Sequence, residues 1–414
     1  MTKNKFNNLT TKTLISAVDF SKSKHTAYFT TLTGIDNKPF EFANNREGFD
    51  RYWRKLQEFK EKHGLEDVVV SFESTGSYGV PFIHYLRNKG VKMQQVNPKH
   101  TKRTKEVSDN SPNKTDDKDP WVISNLILMG SGLTVNIAEG KIQELRNHIY
   151  NREALIDDQN RSINRIESLL AVYFPEFLKL FNTIMAKTSL YILKYYPLPQ
   201  DLSKADPDRL TDELRRISRG RVGPEKTRRI IDNARKSIGI TEGTDSFRQN
   251  IRNFLEQIET INKQKQQVES QLSELLREIP MSKILLSVKG LGEVSVAAIL
   301  SEIIDFKSFG TIREINKYTG FNLFEISSGK HQGRRRIAKR GRALLRKTLF
   351  FATLNMIKKG GIFYEDYQRH INKNMPRMKA IVAISRKLLR TIFAMARDEE
   401  TFDMTKLNQV KQAA

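Results

Sequence analysis

The sequence predicts an α/β domain followed by α-helical regions, and three observations predict it. Short β-rich runs alternate with amphipathic helical stretches over residues 1–135. Two long heptad patterns then bracket a helical insert across residues 136–280, with the insert at 175–246. The remainder, 281–414, is helical and strongly basic. A length of 414 residues suits two or three folded units at ~100–200 residues per domain.

The elements follow in order. Leu14–Phe20, Thr26–Leu32 and Pro39–Phe42 are β-rich runs separated by turns, and Arg46–His63 has helical spacing. Val68–Phe72 is nearly all apolar, as expected of a strand buried on both faces. An amphipathic stretch Val80–Lys89, a strand Val91–Val96 and a helix from about Pro120 to Met129 complete the series. The order β-β-β-α-β-α-β-α is that of a ribonuclease-H-like mixed sheet flanked by helices.

In the middle region Ile142, Ile149, Ile156, Ile163 and Leu170 share one heptad position. Leu145, Ile166 and Tyr173 share the complementary one, which Arg152 and Gln159 interrupt. A matching heptad runs through Phe247, Ile251, Phe254, Ile258, Ile261, Val268, Leu272, Leu275 and Ile279, with Lys265 as its polar break and Pro280 as its stop. Each helix would be ~48 Å long for about 32 residues. Polar breaks specify register, so the two seams point to a coiled coil that pairs with a second protomer, a self-paired hairpin being the alternative. The final helix is expected from about Pro376 to Arg397.

Lys plus Arg number 71 against 47 Asp plus Glu, a formal charge of +24. Such a field attracts polyanions, and nucleic acid is the default partner. Membrane spanning is not expected, because charged residues break every apolar run well short of ~18 residues. The polar start Met1–Thr13 lacks a secretory pattern, which predicts a protein kept inside the cell, in the cytoplasm. With no cysteine, thiolate catalysis and Cys-ligated zinc are excluded, leaving carboxylates, hydroxyls and histidines. In the insert, Arg215, Arg216, Arg219, Arg221, Lys226, Arg228 and Arg229 gather around Gly220 and Pro224. They fit either a phosphate-binding surface or an ordinary solvated face.

Asp19 ends the first strand and Glu73 ends the apolar strand Val68–Phe72. Neighbouring strand ends would set these carboxylates side by side, where like charges ~4 Å apart repel by about 4 kcal/mol at an effective dielectric near 20. A bound cation removes that repulsion. Asp116 and Asp119, three apart at a helix start, add two donors. Four oxygen donors favour Mg²⁺ (or Mn²⁺) over zinc, and two such ions suit phosphodiester displacement. The alternative is that Asp116, Asp117 and Asp119 merely complement a helix dipole and that Asp19 is a turn residue.

In the C-terminal region, Leu286-Ser287-Val288-Lys289-Gly290-Leu291-Gly292 before a helical stretch reads as a helix-hairpin-helix. Its small glycines, Gly290 and Gly292, let backbone N–H groups approach a phosphate, with Lys289 alongside. Further on, Ser327-Ser328-Gly329-Lys330 precedes a basic run. Arg334, Arg335, Arg336, Lys339, Arg340, Arg342, Arg346 and Lys347 put eight cations and no acid between Arg334 and Lys347. That concentration predicts phosphate binding.

These motifs together resemble the IS-one-ten insertion-sequence transposases, also called DEDD transposases or bridge-RNA-guided serine recombinases. The resemblance covers nearly the whole chain. It is carried by Val18-Asp19-Phe20-Ser21-Lys22, Glu73-Ser74-Thr75-Gly76-Ser77-Tyr78, Val96-Asn97-Pro98, Lys114-Thr115-Asp116 with Asp119, Val288-Lys289-Gly290-Leu291-Gly292, Ser328-Gly329-Lys330 and the basic run to Gly341. It implies that Asp19, Glu73, Asp116 and Asp119 occupy the metal positions of a RuvC-like, Holliday-junction-resolvase-like domain, and that Ser328 occupies the position of a nucleophilic serine. It also implies donor and target DNA as substrates, a structured non-coding guide RNA as partner, and a homo-oligomer, dimeric and then tetrameric when active. The rival readings are a plain structure-specific metal-dependent endonuclease and a non-catalytic nucleic-acid-binding protein.

Overall fold

A computed structural model of the chain describes residues 9–73, 76–109, 118–325, 333 and 335–405. Two compact units result: Met1–Ala138 with Ile303–Asp398, and Glu139–Glu302 with Glu399–Ala414.

The first unit begins with β1 (Thr13–Phe20), β2 (Lys24–Thr30), β3 (Phe40–Ala43), α1 (Arg46–Lys62), β4 (Asp67–Glu73), α2 (Val80–Asn88), β5 (Lys92–Val96), α3 (Pro98–Asp109), α4 (Lys118–Leu128) and β6 (Leu133–Thr134). The sheet order is β3-β2-β1-β4-β5-β6. β1, β4 and β5 run parallel, while β2, β3 and β6 pair antiparallel with their neighbours. A mixed α/β sheet was expected; α3 and β6 were not.

Strand alternation divides the apolar residues between two cores. Leu14, Val18, Phe29, Phe42 and Val70 pack with Tyr52 and Leu56 of α1 and with Phe82 and Leu86 of α2. Ile15, Ala17 and Val96 pack with Val122, Ile123, Leu126 and Ile127 of α4 on the other face. The Asn45 side chain caps α1 by accepting from the Gly48 N–H at 2.9 Å. A Cβ on Gly48 would fall 2.0 Å from the Ala43 carbonyl oxygen, so only glycine permits this approach of helix to strand. His25 is fully buried among Phe20, Phe42, Phe49 and Phe82. Burial pushes its pKa down and keeps the imidazole neutral.

The second unit is built on α5 (Gly140–Tyr173) and α11 (Thr244–Arg277), which pack along each other. Between them lie α6 (Phe177–Leu180), α7 (Lys187–Tyr195), α8 (Pro199–Ser203), α9 (Pro207–Ser218) and α10 (Pro224–Arg235). The polar breaks in the heptads find partners within this chain. Arg152 Nε donates to Glu269 at 2.7 Å, Gln159 Nε2 donates to Asn262 at 2.9 Å, and Lys265 Nζ donates to Gln159 at 3.2 Å. Within one chain the register they specify is that of α5 on α11, the self-paired hairpin of the two readings. α12 (Pro280–Leu286) and α13 (Glu293–Glu302) follow, and α13 packs on both long helices.

The first unit resumes with α14 (Ile312–Thr319), β7 (Leu323–Phe324), β8 (Arg336–Ile337), α15 (Ala343–Met356), α16 (Tyr364–Asn372) and α17 (Arg377–Asp398). α15 and α16 pack on α17. Asp366, 7% exposed, is held by Lys387 at 2.8 Å and by Arg369. Gln95 and Thr134 of the sheet edge share a small cleft with Phe309, Tyr318 and Arg342, where the two parts of this unit meet. Among the described residues, no helix is long and apolar enough to cross a membrane.

Candidate active site and nucleic-acid interface

Register places the first two carboxylates. β1 and β4 are parallel with Val18 opposite Phe72, so the next residues are Asp19, one short of the end of β1, and Glu73, the last of β4. Asp19 follows Ile15 and Ala17 on one face, and Glu73 follows Ser71, the partner of Ala17. That is the face α4 covers. Asp119 stands in the first turn of α4, only 7% exposed, and Pro120 beside it suits a helix start.

The Asp119 carboxylate forms an ion pair with Lys105 of α3. Lys105 is a site residue that sequence reasoning missed, because the pairing comes from α3 packing on α4 rather than from any spacing. Asp19 and Glu73 are half-buried. Asp116 lies outside the described residues. Among the described residues no group of three or more His, Asp or Glu is assembled to hold a metal ion. The donor chemistry, carboxylate oxygen throughout, fits a hard divalent cation; the described residues alone do not complete its site.

Ser327, Ser328, Lys330 and Arg334 also lie outside the described residues. The segment that contains them in sequence is bracketed by β7 and β8, paired antiparallel with Leu323 opposite Ile337 and Phe324 opposite Arg336. Glu325 and Arg335 extend that closure with an ion pair at 2.9 Å. Arg336, Lys339 and Arg340 are exposed. Arg342 instead donates from Nε to Tyr318 Oη at 3.1 Å and lies over its ring. Arg346 donates to the carbonyls of Thr319 at 2.8 Å and Gly341 at 3.1 Å, and burial lowers its pKa. The basic run thus contains exposed cations and cations committed to the turn after α14. The exposed Lys289, Gly290 and Gly292 form the turn between α12 and α13.

Residues 17–175 match the family model for the DEDD transposase of IS110, and residues 282–368 match the model Transposase IS116/IS110/IS902 family. The chain belongs to the IS110 family of insertion-sequence transposases. An uncharacterized 43.6 kDa protein of insertion element IS110 from Streptomyces coelicolor is 24% identical over 393 residues, covering 92% of this chain and 93% of that protein. The protein named as the mini-circle putative transposase for IS117 from the same organism is 23% identical over 372 residues, covering 86% and 88%. An IS110-family transposase is an enzyme that cuts and rejoins DNA, and a DEDD set usually implies a divalent metal.

Proposed function

We propose that this IS110-family transposase holds Mg²⁺ or Mn²⁺ with Asp19, Glu73, Asp116 and Asp119 of a ribonuclease-H-like (RuvC-like) domain and attacks DNA with the Ser328 hydroxyl. The observation that carries the reading is the register that puts Asp19 and Glu73 at neighbouring positions near the ends of β1 and β4, on the face covered by α4. Adjacent carboxylates repel each other and a bound cation relieves that repulsion, and Asp119 at the start of the covering helix is the fourth donor of the set. The metal supplies charge neutralisation and polarisation of phosphate oxygens. Ser328 Oγ bonds to phosphorus as the bond to a bridging nucleotide oxygen breaks, and the hydroxyl proton ends on that displaced oxygen. One phosphodiester is exchanged for another, so the reverse step rejoins strands without an external energy source.

The exposed cations of the basic run and the α12–α13 turn, read as a helix-hairpin-helix, hold DNA phosphates. A structured non-coding RNA pairs with donor and target DNA. The protein acts as a homo-oligomer, dimeric and tetrameric when active, with α5 and α11 as its coiled coil and each active site shared between protomers.

Asp19→Asn or Glu73→Gln should lower strand cleavage by at least on the order of 100-fold, the scale of losing one electrostatic stabiliser, while DNA affinity stays near wild type. Undiminished cleavage would remove the carboxylate site from the reading. A DNA substrate that loses its departing strand should trap a phosphoserine adduct in the wild type and in Ser327→Ala, and none in Ser328→Ala. Efficient hydrolysis with no adduct would assign the chain to the plain nucleases.

A further inference from the structure

The two family matches leave residues 176–281 uncovered, and the insert's basic cluster falls in that gap. It forms one end of the helical hairpin α9–α10. Leu210 and Leu214 of α9, Val222 of the connection, and Ile230 and Ile231 of α10 bury into the core of the second unit. The turn is tight: Ser218 Oγ accepts from the Val222 N–H at 2.9 Å, and the Gly220 N–H donates to the Arg215 carbonyl at 2.8 Å. The apolar side is thereby fixed, and Arg215, Arg216, Arg219, Arg221, Lys226, Arg228 and Arg229 are all exposed. Among the described residues, none of the seven cations has a side-chain ion pair or ring partner. Glu225 is the one acid between Arg215 and Arg229.

Two features set this cluster apart from a solvated face. Arg215 and Arg216 end α9, where the helix dipole favours cations. Lys226 occupies the first turn of α10, where the dipole opposes a cation, and Arg228 and Arg229 add like charge in the next turn. Arg219 caps α9 in the left-handed conformation, φ 53°, and Gly220 follows at φ 80°. An arginine is held where glycine is the unstrained choice. Charge placed against both a dipole and its neighbours is relieved by a polyanion. Residues 207–236 contain no aromatic side chain, so the surface has no stacking platform for unpaired bases.

We propose that the α9–α10 hairpin is a sequence-independent clamp on the sugar–phosphate backbone of a double-stranded nucleic acid. The proposal is independent of whether Ser328 is the nucleophile. In the full-length protein, Arg215→Gln, Arg219→Gln, Arg221→Gln and Arg228→Gln combined should flatten the salt dependence of binding to duplex DNA by about 0.9 log units for each phosphate no longer neutralised. Fluorescence anisotropy on a DNA duplex and on an RNA duplex of equal length, each of random sequence, reads the effect. A decrease on either supports the clamp and tells which backbone it grips. The same four positions changed to Lys should retain the slope, since the clamp needs charge rather than guanidinium geometry. Unchanged slopes on both duplexes with the Gln variant, or an equal loss with the Lys variant, would overturn the proposal. At saturating DNA the Gln variant should still cleave, which separates failure of the clamp from failure of the catalytic reading.

Discussion

Two arginine-rich stretches of this molecule read alike in sequence and differ in the structure. In the run after β7, Arg335 pairs with Glu325, Arg342 lies on Tyr318, and Arg346 ties down two carbonyls behind α14. In the α9–α10 hairpin seven cations are exposed and, among the described residues, have no such partners. A dense cationic motif is therefore a mixture of structural and available charge. Its proportions depend on whether a neighbouring turn presents carbonyls and acids, which a count of Lys and Arg cannot report.

The comparison breaks most sharply at Arg346. Replacing it with Met leaves the Thr319 and Gly341 carbonyls without their donor, so equilibrium unfolding should lose about 1–3 kcal/mol while the salt slope of DNA binding is unchanged. A flattened slope at unchanged stability would make Arg346 a phosphate ligand. Arg219→Gly should do the opposite. It relieves a left-handed penalty of ~1–2 kcal/mol, partly offset by the freer unfolded chain, for a net gain of roughly 0.5–1 kcal/mol. Its salt slope should fall by about 0.9. A loss of stability there would show that the turn depends on Arg219 itself. Glu325→Gln sharpens the contrast least: an exposed ion pair is worth about 0.5 kcal/mol. Releasing Arg335 should steepen the slope by no more than ~0.9. A shallower slope would mean that the pair positions Arg335 for binding.

Much of the sheet was legible because its central strands are buried on both faces and appear as apolar runs, each with a single serine, from Leu14 to Val18 and from Val68 to Phe72. The adjacency of Asp19 and Glu73 followed, since each ends such a run. α3 was not legible: Lys99-His100-Thr101-Lys102-Arg103-Thr104-Lys105 has no apolar stripe, and Thr101 is the buried residue among them. With α3 unread, the Lys105–Asp119 ion pair was out of reach. Gln159 and Arg152 were visible as interruptions of a heptad, but a polar break does not say whose helix carries its partner. For the insert, composition left phosphate binding and solvated face level, and the two features that favour the first, Lys226 in the first turn of α10 and Arg219 in the left-handed region, became visible only with the hairpin in place.

The first unit is assembled from Met1–Ala138 and Ile303–Asp398, with the whole of Glu139–Glu302 between them in the chain. On a ribosome adding ~5–20 residues per second, the α/β segment waits roughly 8–30 s for that intervening stretch to emerge. During that interval the sheet edge bearing Gln95 and Thr134 lacks the residues around Tyr318 and Arg342 that share its cleft. The nascent protein therefore carries the strands of its sheet well before the second part of the same unit, Ile303–Asp398, has been synthesised, so the first unit closes late in its own synthesis.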